Sequence, residues 1–385
     1  MAGRAKKKPK ERYFDYSLLF VTIFLVGFGL VMIYSTSSYT AQMESGNAAS
    51  YFIKQLLSTI VGFVAMYMAY RFDYHIWQKY ALALYIFALG LVFALIPFGS
   101  TANGAKRWIR FPVFGGVQPA DVSKFAVIVL LAALVCGYGK QVRKLKNAFI
   151  IFMISAGIQG IAVFIISNNM SSALIIFAIG FVMIFVAYPG YKIFVALGTA
   201  AVAGFVGLYT WVSSMINSNK MTGSFRLNRI LVWVDPEKYI TGKGYQTVQA
   251  LYAIGSGGLF GKGLGKSLQK LGYIPESQND MIFSIICEEL GLFGAVCIIL
   301  VFVVMLWRIA HIAQNAPDLY GTLLAAGVFA HIAIQVVLNI AVVTNIIPNT
   351  GVSLPFISYG GSSAVVLLTE VGIVMNVSSQ IKLEM

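Results

Sequence analysis

Residues 270–307 read KLGYIPESQNDMIFSIICEELGLFGAVCIILVFVVMLW, and this stretch decides the fold. After Asp280 the chain is almost wholly apolar for longer than the roughly 20 residues that a helix needs to cross a bilayer. Glu276 and Asp280 lie at the start of the run, and Glu288 and Glu289 lie about two turns inside it. Ionisable groups at membrane depth are costly and usually face a cavity or a partner. The stretch therefore predicts a membrane helix with a polar site at its mouth.

The composition extends this interpretation to the whole chain. Of its 385 residues, 58% are hydrophobic and 11% are charged, and the mean hydropathy is +0.80, which excludes an ordinary soluble domain. The net charge of +14 sits in short basic blocks between apolar runs, a distribution that membrane topology and anionic headgroups explain better than nucleic acid does. The three cysteines fall in apolar runs and form neither a disulfide framework nor a zinc spacing.

We therefore expect one all-α integral membrane domain with about ten transmembrane helices. The predicted extracytoplasmic loop between helices 7 and 8 covers residues 213–280, and its apolar stretches predict short helices at the membrane surface. The predicted spans are 17–34, 54–70, 79–98, 120–138, 147–167, 171–188, 191–212, 281–307, 319–344 and 362–379.

Basic segments set the expected orientation. The tail at 1–14, the turn at 71–79, the block at 140–146 and the link at 307–318 alternate along the chain, so the positive-inside rule places them and both termini in the cytoplasm. The tail and first run are like a signal peptide, but no small-residue cleavage site is evident, so we expect an uncleaved first helix.

Two expected outer segments, 99–119 and 213–280, are also basic. An anionic ligand explains this, although a solvated loop or contact with lipid phosphates stays open. Within the second segment, the run GSGGLFGKGLGKS at 255–267 fails the phosphate-loop spacing. Its glycines with Lys262 and Lys266 can let backbone N–H groups approach a phosphate, or can simply form a re-entrant turn.

Two further segments carry polar groups into the membrane. QPADVSKFA at 118–126 begins a helix on which Asp121 and Lys124 share one face; the pair either neutralises itself or orients Lys124 toward a cavity. NIIPNTGVSLPFISYGGSS at 345–363 contains two prolines and three glycines and cannot be a continuous helix. Irregular backbone at this depth favours a segment that lines a site.

The acids have alternative interpretations. Asp280 can be a catalytic acid or merely a helix N-cap. Glu288 and Glu289 are expected to hold neighbouring helices or polar backbone, with Glu288 nearer the cavity. Glu370 has no evident partner, and His331 is expected to be a hydrogen-bonded packing residue.

These motifs together resemble the SEDS family (shape, elongation, division and sporulation), which includes FtsW, RodA and SpoVE. The resemblance covers nearly the whole chain and is densest in GAKRWI at 104–109, QPADVSK at 118–124, residues 242–283, EELG at 288–291 and LPFISYGGSS. The form GLGKSLQKLGYIPE is closer to the division and sporulation branch. The sequence departs from the family where QPAD replaces QPSE, at Asn279 and Met281, and at Glu370.

The resemblance implies a peptidoglycan glycosyltransferase that polymerises lipid II at the outer face of the bacterial cytoplasmic membrane, beside a class B penicillin-binding protein and other division or elongation proteins. It implies that the carboxylate of Asp280 acts in catalysis, and we expect it to be the general base. An inverting displacement then needs one base and cations for the leaving pyrophosphate. The expected substrate-binding residues are Lys106, Arg107, Asp121, Lys124, Arg226, Arg229, Gln249, Ser256, Lys262, Lys266, Glu276, Ser358 and Ser362.

No cofactor is evident, and a divalent cation (Mg²⁺ or Mn²⁺) is possible, although the sequence offers no clear ligand set. Two other functions fit the sequence. A lipid II flippase or transporter would also have ten helices and intramembrane acids, but should need charges accessible from both sides. A non-enzymatic scaffold for a transpeptidase would not need Asp280.

Overall fold

The computed structural model describes residues 14–102, 105–111, 115–217, 231–239, 242 and 244–381. In chain order its first elements are α1 (Tyr16–Ser45), α2 (Ser50–Arg71), α3 (His75–Lys79), α4 (Ala81–Phe98), β1 (Gly99–Ala102), β2 (Ala105–Phe111), β3 (Gly115–Val117) and α5 (Pro119–Tyr138). A 3₁₀ turn at Gly139–Arg143 precedes α6 (Leu145–Phe152), a π-helical turn at Met153–Gly157, α7 (Ile158–Ser167), α8 (Met170–Ala187) and α9 (Tyr191–Asn217). A 3₁₀ turn at Glu237–Tyr239, α10 (Tyr245–Gly257), α11 (Ile282–Asn315), α12 (Leu319–Val343) and α13 (Gly361–Ser379) follow.

The helices confirm a multi-pass membrane fold. Within the described ranges, nine helical stretches are long and apolar enough to cross a bilayer, with α6 and α7 forming one continuous stretch. The 27 residues of α9 give a further helix of about 40 Å, which is also sufficient. The predicted all-α architecture with about ten long helices is therefore confirmed.

Three helices extend beyond their apolar runs. α1 continues past residue 34 because the hydroxyls of Thr36 and Ser37 donate to backbone carbonyls one turn earlier, at 2.9 and 2.7 Å, and both side chains are buried. α9 continues to Asn217, so the start of the predicted 213–280 loop is helical. α11 continues to Asn315, but its backbone breaks at Gly291, where φ is +69°.

The predicted outer segment 99–119 contains a small antiparallel sheet in the order β1-β2-β3. Gly99 lies opposite Ile109, which lies opposite Val117. The sequence did not reveal this sheet because its strands are short and the central one is rich in basic residues. The prediction of short helices in 213–280 agrees with α10, which has 13 residues.

Of the nine spanning stretches found in the described ranges, α5 is the most deeply buried. It packs against α4, α8 and α12, while α13 packs against α2 and α12 packs against α11. α5 therefore lies inside the bundle, in contact with α4, α8, α12 and α13. This placement encloses Asp121 and Lys124, which lie in the first turn and a half of α5.

At the α2–α3 end of the bundle, His75 joins two connections. Its Nδ1 lies 2.6 Å from Asp73, and its Nε2 lies 2.7 Å from Asp318, the N-cap of α12. Burial disfavours the charged ring, but hydrogen bonds to both aspartates outweigh it and raise the pKa of His75. Burial likewise acts to raise the pKa of Asp73, and hydrogen bonds from His75 lower it overall.

Candidate active site

Asp280 lies just before α11, half-buried at the mouth of this membrane helix. The helix begins at Ile282, and its N-cap is Met281, without a side-chain capping bond. Asp280 is therefore not the N-cap, and the simplest structural explanation for an acid at this position does not hold.

The backbone at Asp280 is tied to the irregular segment between α12 and α13. Asn339, which is fully buried on α12, donates from Nδ2 to the carbonyl of Asp280 at 2.8 Å and to that of Val352 at 2.7 Å. The N–H of Tyr359 donates to the carbonyl of Gln278 at 2.9 Å. Two segments that are more than 60 residues apart in sequence are thus held together at the candidate acid.

Gly351 lies against the carboxylate. A Cβ atom at this glycine would lie 3.7 Å from Oδ2 of Asp280, and its φ of +69° favours glycine. The prediction that 345–363 cannot be a continuous helix is confirmed, because residues 344–360 are non-helical and α13 starts only at Gly361. Leu354 and Ile357 are nearly or fully buried, so this irregular backbone is enclosed by protein, as the membrane setting requires.

Two other elements reach the same region. On α10, Gln246 donates from Nε2 to the carbonyl of Pro275 at 3.3 Å and accepts from Asn349 at 3.4 Å. Ser171, at the start of α8, donates to the carbonyl of Thr350. The loop that carries Asp280 is therefore braced by α10, α12 and the irregular segment, and α8 in turn holds the irregular segment.

Glu276 lies on the turn that leads into Asp280 and has a φ of +52°. Asn279 donates from its backbone N–H to the carbonyl of Glu276 at 2.9 Å and from Nδ2 to its carboxylate at 3.1 Å. Glu276 is exposed and Asp280 is half-buried, so the two acids of the motif have different surroundings.

The glycine run 255–267 forms a re-entrant turn against the break in α11. The N–H groups of Lys262 and Gly263 donate to the carbonyls of Glu288 and Glu289 at 3.0 and 2.9 Å. A Cβ atom at Gly261 would lie 2.2 Å from the carbonyl oxygen of Glu289. Glycine is needed for this close approach of two backbone segments. Of the two interpretations of the run, the structure therefore supports the re-entrant turn.

Glu288 is fully buried and has several partners. Its carboxylate lies 2.7 Å from Nζ of Lys262, accepts from the N–H of Leu268 at 3.2 Å, and accepts from the hydroxyls of Ser256 and Ser267. Lys262 keeps 31% of its side chain exposed, so it can still meet a ligand while neutralising this acid. Lys266 is exposed on the same loop.

Glu289 has a separate partner. Nζ of Lys270 lies 2.8 Å from its carboxylate, and the hydroxyl of Ser35 on α1 donates to the same group at 2.8 Å. The side chain of Lys270 is 7% exposed. Both glutamates thus hold polar loops and a neighbouring helix to α11, in agreement with the sequence interpretation.

The QPAD motif forms a buried cluster with the last helix. Nζ of Lys124 lies 2.9 Å from Oδ1 of Asp121, and the hydroxyl of Ser362 donates to Oδ2 at 3.3 Å. The N–H of Gln118 donates to Ser362 at 3.2 Å. Asp121 and Lys124 are at most 4% exposed, so the ion pair predicted from their spacing exists and also connects α5 to α13.

The other predicted substrate-binding residues have varied positions. Lys106 is exposed, and its Nζ donates to the carbonyl of Ile96 at 3.1 Å. Ser358 accepts from the N–H of Leu354 at 2.8 Å. Arg107 on β2 and Gln249 on α10 are half-buried, while Arg226 and Arg229 lie outside the described residues.

Sequence reasoning missed two contributions. Asn339 and Gly351 adjoin Asp280 only through long-range folding, and an asparagine in an apolar span was the one available signal for the first. Glu370, for which the sequence offered no partner, lies 2.8 Å from Nδ1 of His331, and both are buried. In the parts of the chain that the structure describes, no cluster of three or more His, Cys, Asp or Glu residues is placed to hold a metal. A divalent cation therefore stays a prediction.

Similarity to known proteins establishes the family of this chain. A profile of the FtsW/RodA/SpoVE family, described as "Cell cycle protein", matches residues 16–383. The chain belongs to this family. It is 39% identical over 368 residues to stage V sporulation protein E of Bacillus subtilis, covering 94% of this chain and 96% of that protein. It is 38% identical over 372 residues to the probable peptidoglycan glycosyltransferase FtsW of Trichlorobacter lovleyi, covering 96% and 94%.

A solved structure shares the fold of this family member. It is described as "Structural coordination of polymerization and crosslinking by a peptidoglycan synthase complex", and one of its chains aligns with a TM-score of 0.73 at 23% identity. The alignment covers 95% of this chain and 97% of that chain. At this level of identity the match supports the fold of the membrane bundle and leaves the chemistry to the site itself.

Proposed function

We propose that this protein is a peptidoglycan glycosyltransferase that polymerises lipid II at the outer face of the bacterial cytoplasmic membrane. The family relationship supports the activity, because several FtsW relatives at 35–38% identity are named probable peptidoglycan glycosyltransferases. The observation that carries the proposal within this chain is Asp280. It is a half-buried carboxylate at the mouth of a membrane helix, it is not the N-cap residue of that helix, and the loop that carries it is held by α10, α12 and the irregular segment.

In the proposed reaction, Asp280 accepts the proton of an acceptor sugar hydroxyl. The hydroxyl oxygen forms a bond to the anomeric carbon of the donor sugar, and the bond from that carbon to the pyrophosphate oxygen breaks. Polyprenyl pyrophosphate leaves with the bonding electron pair. A single displacement of this kind inverts the anomeric configuration and needs no covalent nucleophile; base catalysis contributes about 10²–10⁴-fold.

Cations stabilise the charge that develops on the leaving pyrophosphate. Lys266 and Lys106 are exposed, and Lys262 is partly exposed beside Glu288. Lys124 is enclosed with Asp121, so its proposed role is to orient the QPAD motif toward the substrate. Arg226 and Arg229 are also proposed to bind the pyrophosphate, because Arg can grip two phosphate oxygens together.

The proposed setting is a cell-wall complex. The fold match to a structure described as a peptidoglycan synthase complex for polymerization and crosslinking supports a class B penicillin-binding protein as partner. The alternating basic segments support cytoplasmic termini, and in this orientation the loop that contains α10 and the mouth of α11 faces outward. The similarity to FtsW and to stage V sporulation protein E supports a role in division or sporulation.

The test is polymerisation of labelled lipid II by purified protein, with and without its cognate transpeptidase, resolved on a gel. We expect polymer from wild type and at least about 10²-fold less from Asp280→Asn, the part of the rate that base catalysis supplies. Glu237→Gln is the matched control, because it makes the same kind of acid-to-amide change at an exposed residue of the outer loop. It should polymerise like wild type.

Other outcomes separate the alternatives. Equal polymer from wild type and Asp280→Asn would keep the enzyme but exclude Asp280 as the base. No polymer from any variant with the partner present, together with lipid II translocation in liposomes, would contradict the proposal and favour a transporter. Neither activity, with the transpeptidase still recruited, would favour a scaffold.

A further inference from the structure

We infer that Asn339 is a positioning residue for the candidate base, an inference that rests on the proposed function. Its side chain lies on α12, is fully buried and donates to two main-chain carbonyls, at Asp280 (2.8 Å) and Val352 (2.7 Å). One amide therefore joins the turn that carries the acid to the segment that faces the acid. Nothing in its local sequence distinguishes this asparagine from a polar residue that serves helix packing.

The orientation of this amide is fixed by its partners. Both are carbonyl oxygens, which only accept hydrogen bonds, so the NH₂ group of Asn339 must face them. The reversed orientation would place Oδ1 against two carbonyl oxygens in a buried site. The chemistry thus requires a side chain with two donors on one nitrogen at this point.

The contact controls where the carboxylate points. Asp280 precedes the first residue of α11, so its peptide group lies outside the regular helix. Asn339 holds its carbonyl, and the same nitrogen holds Val352 next to Gly351, where an added Cβ would lie 3.7 Å from Oδ2 of Asp280. Loss of the amide frees both sides of this contact at once. A misplacement of about 1 Å can reduce a rate about 10²-fold.

A matched control lies at the other end of the bundle. Asn376 on α13 is also buried, donates from Nδ2 to the carbonyl of Tyr70, and accepts at Oδ1 from the N–H of Tyr74 at 2.9 Å. Asn376→Leu thus removes two buried hydrogen bonds to backbone, as Asn339→Leu does, but far from Asp280. The two variants should lose similar amounts of thermal stability.

The experiment measures kcat and KM for lipid II polymerisation, with its partner transpeptidase, and the melting temperature of each variant. We expect Asn339→Leu to lower kcat roughly 10–100-fold while KM changes less than threefold. Asn339→Gln keeps both donors on a longer arm and should recover part of kcat. Asn376→Leu should melt as early as Asn339→Leu and keep kcat within about twofold of wild type.

A double-mutant cycle tests whether Asn339 acts through Asp280. If it does, Asp280→Asn combined with Asn339→Leu polymerises no more slowly than Asp280→Asn alone. The inference is overturned if Asn339→Leu keeps the wild-type kcat, if Asn376→Leu loses as much kcat, or if the double variant is slower by the full product of both effects. In each of these cases wild type still polymerises lipid II, whereas failure of the proposed function would show as absence of wild-type polymer.

Discussion

The glycine run and the break in α11 make a prediction that depends on one methyl group. Gly261 has a φ of +76°, and an added Cβ would lie 2.2 Å from the carbonyl oxygen of Glu289 and 2.6 Å from the backbone nitrogen of Gly291. Both atoms are backbone, so neither can rotate away. Gly255 belongs to the same run, lies in α10, and has open space around its Cβ position. Gly261→Ala and Gly255→Ala are therefore matched in chemistry and opposite in environment.

The expected magnitudes follow from these contacts. A left-handed conformation costs a residue with a Cβ about 1–2 kcal/mol. Displacing the loop also weakens the hydrogen bonds from the N–H groups of Lys262 and Gly263, each worth about 1 kcal/mol net. Gly261→Ala should thus lower the free energy of unfolding by about 3–4 kcal/mol. Gly255→Ala should be neutral or stabilise by up to about 1 kcal/mol, because alanine favours helix interiors.

The assay is thermal unfolding of the purified protein in detergent, followed by tryptophan fluorescence. At roughly 2 °C for each kcal/mol, Gly261→Ala should melt about 6–8 °C below wild type. Gly255→Ala should melt at the wild-type temperature or slightly above it. A Gly261→Ala protein that melts within 2 °C of wild type, or an equal loss for Gly255→Ala, would refute the close-approach argument for this loop.

Three further predictions concern other contacts. Lys270→Met leaves the buried carboxylate of Glu289 without its cation, so it should lower the free energy of unfolding by about 3–5 kcal/mol in the same melting assay. Adding Glu289→Gln should restore most of this loss, and a double variant that recovers no stability would contradict the ion pair. Because the pKa of His75 is raised on folding, its contribution to stability is full below the unfolded pKa near 6.5 and is lost as the pH rises through the folded pKa. Because the pKa of Asp73 is lowered, its contribution is full above the unfolded pKa near 4 and is lost as the pH falls through the folded pKa. The contact of His75 with Asp73 should therefore stabilise the fold most between about pH 4 and 6.5, and by less than about 1 kcal/mol because His75 is about half exposed. In His75→Ala the melting temperature should change less between pH 6 and 8.5 than it does in wild type. The same dependence of melting temperature on pH in both proteins would count against the contact. Gly351→Ala places a methyl group beside the Asp280 carboxylate at a left-handed position, so lipid II polymerisation should fall at least tenfold, and a rate within twofold of wild type would show that this side of the acid is not used.

The membrane helices were predictable because their signal is local. An apolar run of about 20 residues identifies a span whatever it packs against, and the spans found in this way are present in the fold. The residues at which the helices end were less predictable. α1 runs on to Ser45 because the buried hydroxyls of Thr36 and Ser37 are satisfied by carbonyls of the same helix, whereas hydrophobicity alone ends the helix earlier.

The site was predictable only in part, for the same physical reason. The spacing of Asp121 and Lys124 predicts their ion pair, since both lie on one helical face. Asn339 lies 59 residues from Asp280, and Glu370 lies 39 residues from His331, so no periodicity brings either pair together. These contacts come from the packing of α11, α12 and α13.

The three-stranded sheet shows a third kind of difference. β1 and β3 have four and three residues, too few for a clear alternation of apolar and polar positions, and three of the seven residues of β2 are basic. Pairing across the sheet stabilises the strands, and the sequence of each strand alone is typical of a loop. The basic residues Lys106 and Arg107 are therefore presented from a β-strand rather than from a flexible segment.

The central claim is that Asp280 is the general base of lipid II polymerisation, and the most direct measurement is the initial polymerisation rate as a function of pH. Wild type and Asp280→Asn are compared at equal folded concentration with the partner transpeptidase. We expect the wild-type rate to fall about tenfold for each unit below the pKa of the base, and the Asp280→Asn rate to be at least about 10² lower without that acidic limb. An Asp280→Asn protein that keeps the same acidic limb at a similar rate would contradict the account.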